Sequence, residues 1–285
     1  DEGDWERLCG ETDVLVHGAA RLHLLAPLDG LRADNVGGTI EALRWRRDSG
    51  GVLHHVSTLS VLVATDHPDA VLDESSDPRD AGRVHGGYAQ SKWQAEELVR
   101  GAGGGAIHRP GLLTGDRATG RPAPGCQLAR LLRGLAALGA VPAGDHDALR
   151  VDVTPVDHAA RAMARLLLGY PKSPYIYHLA SARGVSLARL LGALRAAGVG
   201  CAVVSPDEFR QRWRRAPRTD ALATTWLSLG RLLDLPRPDA DLFLLTGREL
   251  RADRTEARTG LPHPPLDDAL LDRYVRAALA DADGL

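Results

Sequence analysis

Three short apolar runs, each breaking into small or polar residues and separated by amphipathic stretches, constrain this chain more than anything else in it. They are Asp13–Val16 before His17-Gly18-Ala19-Ala20, Val52–Val56 before Ser57-Thr58-Leu59-Ser60, and Ala106–Arg109 before Pro110-Gly111. Runs of this kind read as buried parallel strands that stop at a ligand crevice. Helical patterning fills 32–48 and the stretch from Tyr88 to about Arg100, where Gly101–Gly105 ends it. Residues 66–86 hold Pro68, Asp73-Glu74-Ser75-Ser76-Asp77-Pro78 and two glycines, and read as a long exposed loop. Strand and helix alternating at this rhythm predict an α/β fold, a Rossmann-like doubly wound parallel sheet.

Past residue 120 the pattern changes. Helices are expected over 126–139, 157–168, 186–198, 206–214, 219–234 and 266–281, and strands over 151–156 and 175–180. Pro217, Pro236, Pro238 and Pro262-His263-Pro264-Pro265 interrupt the later helices. The expected organisation is a sheet-bearing part over 1–120 and a mostly helical C-terminal part over 121–285, with 151–180 returning to the sheet.

Charge excludes several classes of partner. With 35 basic against 37 acidic residues, no net field favours nucleic acid or an anionic membrane. Cys9, Cys126 and Cys201 form no C-x-x-C pair, which argues against a disulfide framework or zinc site and for a reducing compartment. The acidic start lacks the apolar core of a signal peptide, and no apolar run is long enough to span a bilayer, so a cytoplasmic protein is expected. His54 and His55 read as buried strand residues, since no Asp, Glu or Cys cluster offers metal spacing.

Chemistry concentrates at Tyr88-Ala89-Gln90-Ser91-Lys92. Positions i and i+4 share a helix face, so the phenol and the ammonium enter one cleft, where the ammonium favours the phenolate. Ser57 or Thr58, at the end of the preceding strand, supplies a second donor toward a carbonyl oxygen. Hydroxyl, Tyr and Lys in this order resemble the short-chain dehydrogenase/reductases.

The resemblance is narrower still. Val52–Ser60, Gly87–Trp93 and Arg109-Pro110-Gly111-Leu112-Leu113-Thr114-Gly115-Asp116 resemble the thioester reductase domains of nonribosomal peptide and polyketide synthetases and of carboxylic acid reductases. Leu138–Pro142, Val151–Asp157 and Pro264–Leu271 extend the likeness over nearly the whole chain. It implies an NADPH-dependent reductase acting on an acyl or peptidyl thioester held by a carrier protein, and releasing an aldehyde as small-molecule product. Residues 1–120 would then be a partial NADP-binding core and 121–285 the substrate-binding region. By position, Thr58 and Tyr88 would bond the thioester carbonyl, with Tyr88 the proton donor and Lys92 the ligand of the nicotinamide ribose. His17, Ala19, Ala20, Asn35, Ser57, Arg109, Pro110, Gly111 and Leu112 would border the cofactor. Asn35 also suits a helix N-cap, and Arg109 fits a structural role equally. The arginines of Arg210–Arg215 suit either a solvated helix face or an acidic carrier protein.

Two other readings stay open: a nucleotide-sugar epimerase-type enzyme, and a carrier-docking fragment that does not bind NADPH. The second arises because the 31 glycines contain neither G-x-G-x-x-G nor G-x-x-G-x-x-G, the loop that cradles a pyrophosphate. With a sequence that opens at Asp1 and has Met163 as its single Met, the expectation is a sheet incomplete at its N-terminal side and weak NADPH binding by this polypeptide alone.

Overall fold

The computed structural model describes residues 1–23, 25–103, 105–169, 175–235 and 242–280. The chain falls into two compact units that interleave in sequence: Asp1–Gly111 with Ala160–Ala180 and Leu250–Pro262, and Leu112–Ala159 with Ser181–Glu249 and His263–Leu285. The polypeptide first crosses into the second unit at Leu112. Within 151–180, Ile176–Leu179 forms a strand of the four-stranded sheet, while Arg150–Val151 and Thr154–Pro155 pair in separate two-stranded sheets.

The first unit is built on four strands, β1 (Val14–His17), β2 (Val52–Val56), β3 (Ala106–Pro110) and β4 (Ile176–Leu179). They lie in that order and are all parallel, pairing Val14 with Val52, His54 with Ala106, and His108 with Tyr177. Parallel neighbours cannot be joined by a hairpin, so helices must lie between them in the chain. After α1 (Glu2–Glu11), which precedes the sheet, α2 (Gly38–Ser49) joins β1 to β2 and α3 (Gly87–Gly101) joins β2 to β3. Strand residues alternate between faces. Leu53 and Ile107 meet Ala42 of α2 and Val99 of α3 in one apolar cluster. On the same alternation, His55 and Arg109 point toward α3 as well, while His54 and His108 occupy the opposite face.

Local chemistry fixes these elements. Gly50 ends α2 in the left-handed region at φ 70°, its N–H returning to Arg46 O. At Gly51 a Cβ would lie 2.9 Å from Asp13 O, so the chain can enter β2 beside the start of β1 only with glycine there. A Cβ on Gly87 would run into the backbone of Ala26, Pro27 and Leu28. Glycine therefore lets that segment lie directly on the first turn of α3.

The expectation of an exposed loop over 66–86 is corrected. This stretch contains a two-residue strand, Val71–Leu72, and a 3-10 turn, Pro78–Asp80, and it buries Leu72, Glu74, Pro78 and Val84. Its carboxylates explain the order. Asp73 accepts from Ser75 N at 2.7 Å, and Asp77 pairs with Arg100 at 3.0 Å. Glu74 takes the N–H groups of Arg254 and Thr255 at 3.0 and 2.8 Å, at the start of the helix Asp253–Thr259. A polar segment is thus tied down by its own acids.

The second unit is mostly helical, as expected, with helices Gln127–Leu138, Leu187–Ala196, Pro206–Arg215, Asp220–Ser228 and Asp268–Ala280. Leu128, Leu131, Leu132, Leu135 and Leu138 line one face of the first and are all buried. The helix expected over 219–234 stops at Ser228 and continues as a 3-10 turn, Gly230–Leu233, where glycine weakens the α-helix. The last helix begins at Asp268, behind Asp267, whose carboxylate accepts from Leu270 N at 2.8 Å. Pro236, Pro238 and residue 281 lie outside the described residues.

Candidate active site

Tyr88 and Lys92 sit one turn apart on α3, the half-buried phenol in its first turn and the ammonium 1% exposed. Burial pushes the Tyr88 phenol up to about 12. This corrects the expectation that Lys92 would draw it downward. The reason is geometric: Lys92 Nζ reaches His55 Nε2 on β2 at 3.3 Å. Among the described residues the Tyr88 hydroxyl has no hydrogen-bond partner, and His55 is the sole partner of Lys92. Burial also pulls the Lys92 ammonium down to about 8, against the opposing pull of Glu96.

The hydroxyl pair after β2 divides its roles. Backbone bonds from Ser57 N to His108 O (2.7 Å) and from Leu59 N to Pro110 O (2.9 Å) carry the pairing with β3 past the strand end. Thr58 is spent locally: its Oγ1 donates to Ser60 Oγ and accepts from Ser60 N, both at 3.1 Å. Ser57 Oγ is buried with no partner among the described residues. An orphaned buried hydroxyl is costly unless something else fills its demand.

Asn35 lies fully buried in a π-turn, Ala33–Gly37, a local widening of the helix that leads into α2. Its Oδ1 accepts from Arg21 N at 2.7 Å, while Nδ2 donates to Arg21 O at 3.2 Å and to Ser91 Oγ at 2.9 Å. Ser91 in turn donates to Tyr88 O. Asn35 thus ties the segment after β1 to the middle of α3; among the described residues its side chain bonds Arg21 and Ser91, not Lys92 and not a helix N-terminus. In that segment Gly18, Ala19 and Ala20 are exposed, while His17 is buried and bonds Thr39 Oγ1 at 3.2 Å. Burial, then Lys92, lowers the His17 pKa.

Arg109 resolves to the structural side of its two readings. Fully buried, it forms a bidentate pair with Glu96 of α3 at 3.0 and 2.7 Å, so its guanidinium is committed within the protein. Pro110 and Gly111 follow it, half-buried, with Gly111 N bound to Leu179 O at 2.9 Å. In the second unit, Leu112 N donates to the Asp152 carboxylate at 2.6 Å. Asp152 also accepts from Thr154 Oγ1 and Ser181 N; burial raises its pKa to about 6 against those bonds. The arginines of Arg210–Arg215 lie in that unit too, where Arg210 pairs with Asp207 and Arg212 with Glu208.

Sequence reasoning missed His55 and Glu96 as parts of this site. Both carried a signal: Glu96 lies one helical turn beyond Lys92, and the alternation of β2 puts His55 on the side opposite His54.

Comparison with known proteins places this geometry in a family. Residues 1–163 match the NAD-binding family described as male sterility protein. The terminal R domain from the myxalamid PKS-NRPS biosynthetic pathway superposes with a TM-score of 0.78 at 30% identity, covering 99% of this chain and 72% of that one. Isonitrile lipopeptide synthase of Streptomyces coeruleorubidus is 31% identical over 94% of the chain, and glycine betaine reductase ATRR of Emericella nidulans 30% identical over 73%. The chain spans only 18% and 17% of the length of those two proteins. With its parallel sheet, its Tyr88–Lys92 turn and these likenesses, the chain belongs to the NAD-binding male sterility family and groups there with the terminal reductase domains of nonribosomal peptide and polyketide synthetases.

Proposed function

We propose that this chain carries the reductive-release chemistry of such a synthetase: NADPH-dependent conversion of an acyl or peptidyl thioester, held on the phosphopantetheine arm of a carrier protein, to an aldehyde. The observation that carries the reading is a set of unspent donors in the first unit. The Tyr88 hydroxyl, the Ser57 hydroxyl and two of the three Lys92 N–H groups have no partner among the described residues, although Lys92 and Ser57 are buried. Buried donors left open in this way fit the ribose and amide end of a nicotinamide. For the pyrophosphate the sequence holds no glycine-rich loop, so the fit supports one half of the dinucleotide.

When bound, NADPH supplies a hydride to the thioester carbonyl carbon. Tyr88 donates a hydrogen bond, and then its proton, to the carbonyl oxygen as charge develops there; burial holds the phenol in its protonated form, and the negative charge gathering on the oxygen supplies the pull on that proton. Thr58 is the second donor once its hydroxyl leaves Ser60. Lys92 would hold the ribose end of the cofactor, and Ser57 its amide end. His17, Ala19, Ala20, Pro110 and Gly111 would line the cofactor with backbone and apolar surface, and Asn35 fixes the segment after β1. Collapse of the resulting hemithioacetal releases the pantetheine thiol and the aldehyde.

The test is NADPH oxidation with an acyl-pantetheine thioester set against a UDP-sugar, with NADPH supplied far above the weak affinity expected. Aldehyde formed from the thioester supports the proposal; turnover of the sugar alone overturns it.

A further inference from the structure

Lys92 presents an unusual problem of charge. Its ammonium is buried, yet its single partner among the described residues is an uncharged ring. The nearest acid on its own helix, Glu96, is fully engaged by Arg109 and also meets Arg100 at 3.6 Å. From β1, His17 faces the same space, its ring centroid 5.3 Å from that of His55. Tyr88 is the remaining titratable group one turn back on α3. His108, on β3, acts on His55 from the other face of the sheet.

An ammonium is a donor only, so His55 Nε2 must accept from it. That assigns the proton to Nδ1, which is itself buried with no partner among the described residues. Burial, then the Lys92 charge, holds the His55 pKa well below its ordinary value, so the ring stays neutral and Nε2 stays an acceptor.

We propose that His55 is a positioning residue for Lys92: its Nε2 fixes the amino group through one N–H and leaves the other two free for a ligand. Two features separate this from simple packing. The contact joins nitrogen atoms at hydrogen-bond distance, where an apolar ring would fill the same volume. The tautomer it demands leaves Nδ1 buried without a partner among the described residues, a cost that a packing role alone would not select. The inference rests on reading Lys92 as a ligand-binding residue, but its test uses neither cofactor nor substrate, so it can fail while that reading stands.

The chain has two lysines, Lys92 and Lys172, so selective 13Cε-lysine labelling with a Lys172→Arg background leaves one signal to titrate by NMR. In His55→Phe, loss of the acceptor should lower the Lys92 titration by about one pH unit. In His55→Gln, where an amide oxygen can accept, Lys92 should titrate close to the unsubstituted protein. The 15N shift of His55 Nε2 in the unsubstituted protein should be that of an unprotonated nitrogen. An unchanged Lys92 titration in a folded His55→Phe protein overturns the proposal. A protonated Nε2 overturns it too, and that readout survives if the phenylalanine variant fails to fold.

Discussion

Lys92 and Glu96 lie one turn apart on the buried face of α3, and the protein treats their charges in opposite ways. Glu96 meets Arg109 through two hydrogen bonds and Arg100 through a third contact, so every charge there is answered from within. Lys92 has one neutral partner and two idle N–H groups. A buried ion that is fully paired serves the fold, because removing either partner strands the other. A buried ion left partly unpaired lowers stability, and such groups mark functional sites. Four residues of helix therefore separate a structural charge from a chemical one.

Breaking each partner in turn sharpens that contrast. The largest effect expected is on chemistry: Lys92→Met should lower thioester turnover about 10²–10⁴-fold. Its melting temperature should stay level or rise, because an under-partnered buried charge has gone. Glu96→Ala should do the reverse, destabilising the fold by about 3–5 kcal/mol through the stranded Arg109, as read by chemical denaturation. Equal stability losses in both variants would erase the distinction.

Acid probes the same contrast across the sheet. Burial pulls His108 down to about 3, with His54 adding to it, and burial followed by Arg109 does the same to His178. Their unfolded-state values lie near 6.5, so between about pH 6.5 and 3 the unfolded chain binds more protons than the native one. Stability should accordingly fall as pH drops below about 6.5, by several degrees in melting temperature at pH 5. A flat profile over that range would contradict the buried, neutral assignment. The smallest effect belongs to Ser57→Ala, which deletes an unpartnered buried hydroxyl and should leave the melting temperature unchanged or slightly raised.

Much of this was legible in the sequence because it depends on spacing. The apolar runs marked β1, β2 and β3, the i, i+4 relation placed Tyr88 and Lys92 on one face, and segment 175–180 supplied β4. The hydroxyls of Ser57 and Thr58 could be located at the end of β2, but not told apart, since that depends on where Ser60 points. Partner choice was the general blind spot. Whether Arg109 met a cofactor or Glu96, and whether Lys92 tuned Tyr88 or bound His55, follows from side-chain directions in three dimensions. The order in 66–86 was hidden for the same reason: a run rich in Asp, Glu and Ser reads as solvated until the helix start at Arg254–Thr255 is placed beside Glu74.

The central claim is that an unspent phenol and an unspent ammonium on α3 form the reductive site. Aldehyde release from an acyl-pantetheine thioester, compared between the unsubstituted chain and Tyr88→Phe, tests it most directly. The account predicts NADPH-dependent aldehyde that falls about 10²–10⁴-fold in the phenylalanine variant, with the fold unchanged. Undiminished aldehyde formation by Tyr88→Phe would contradict it.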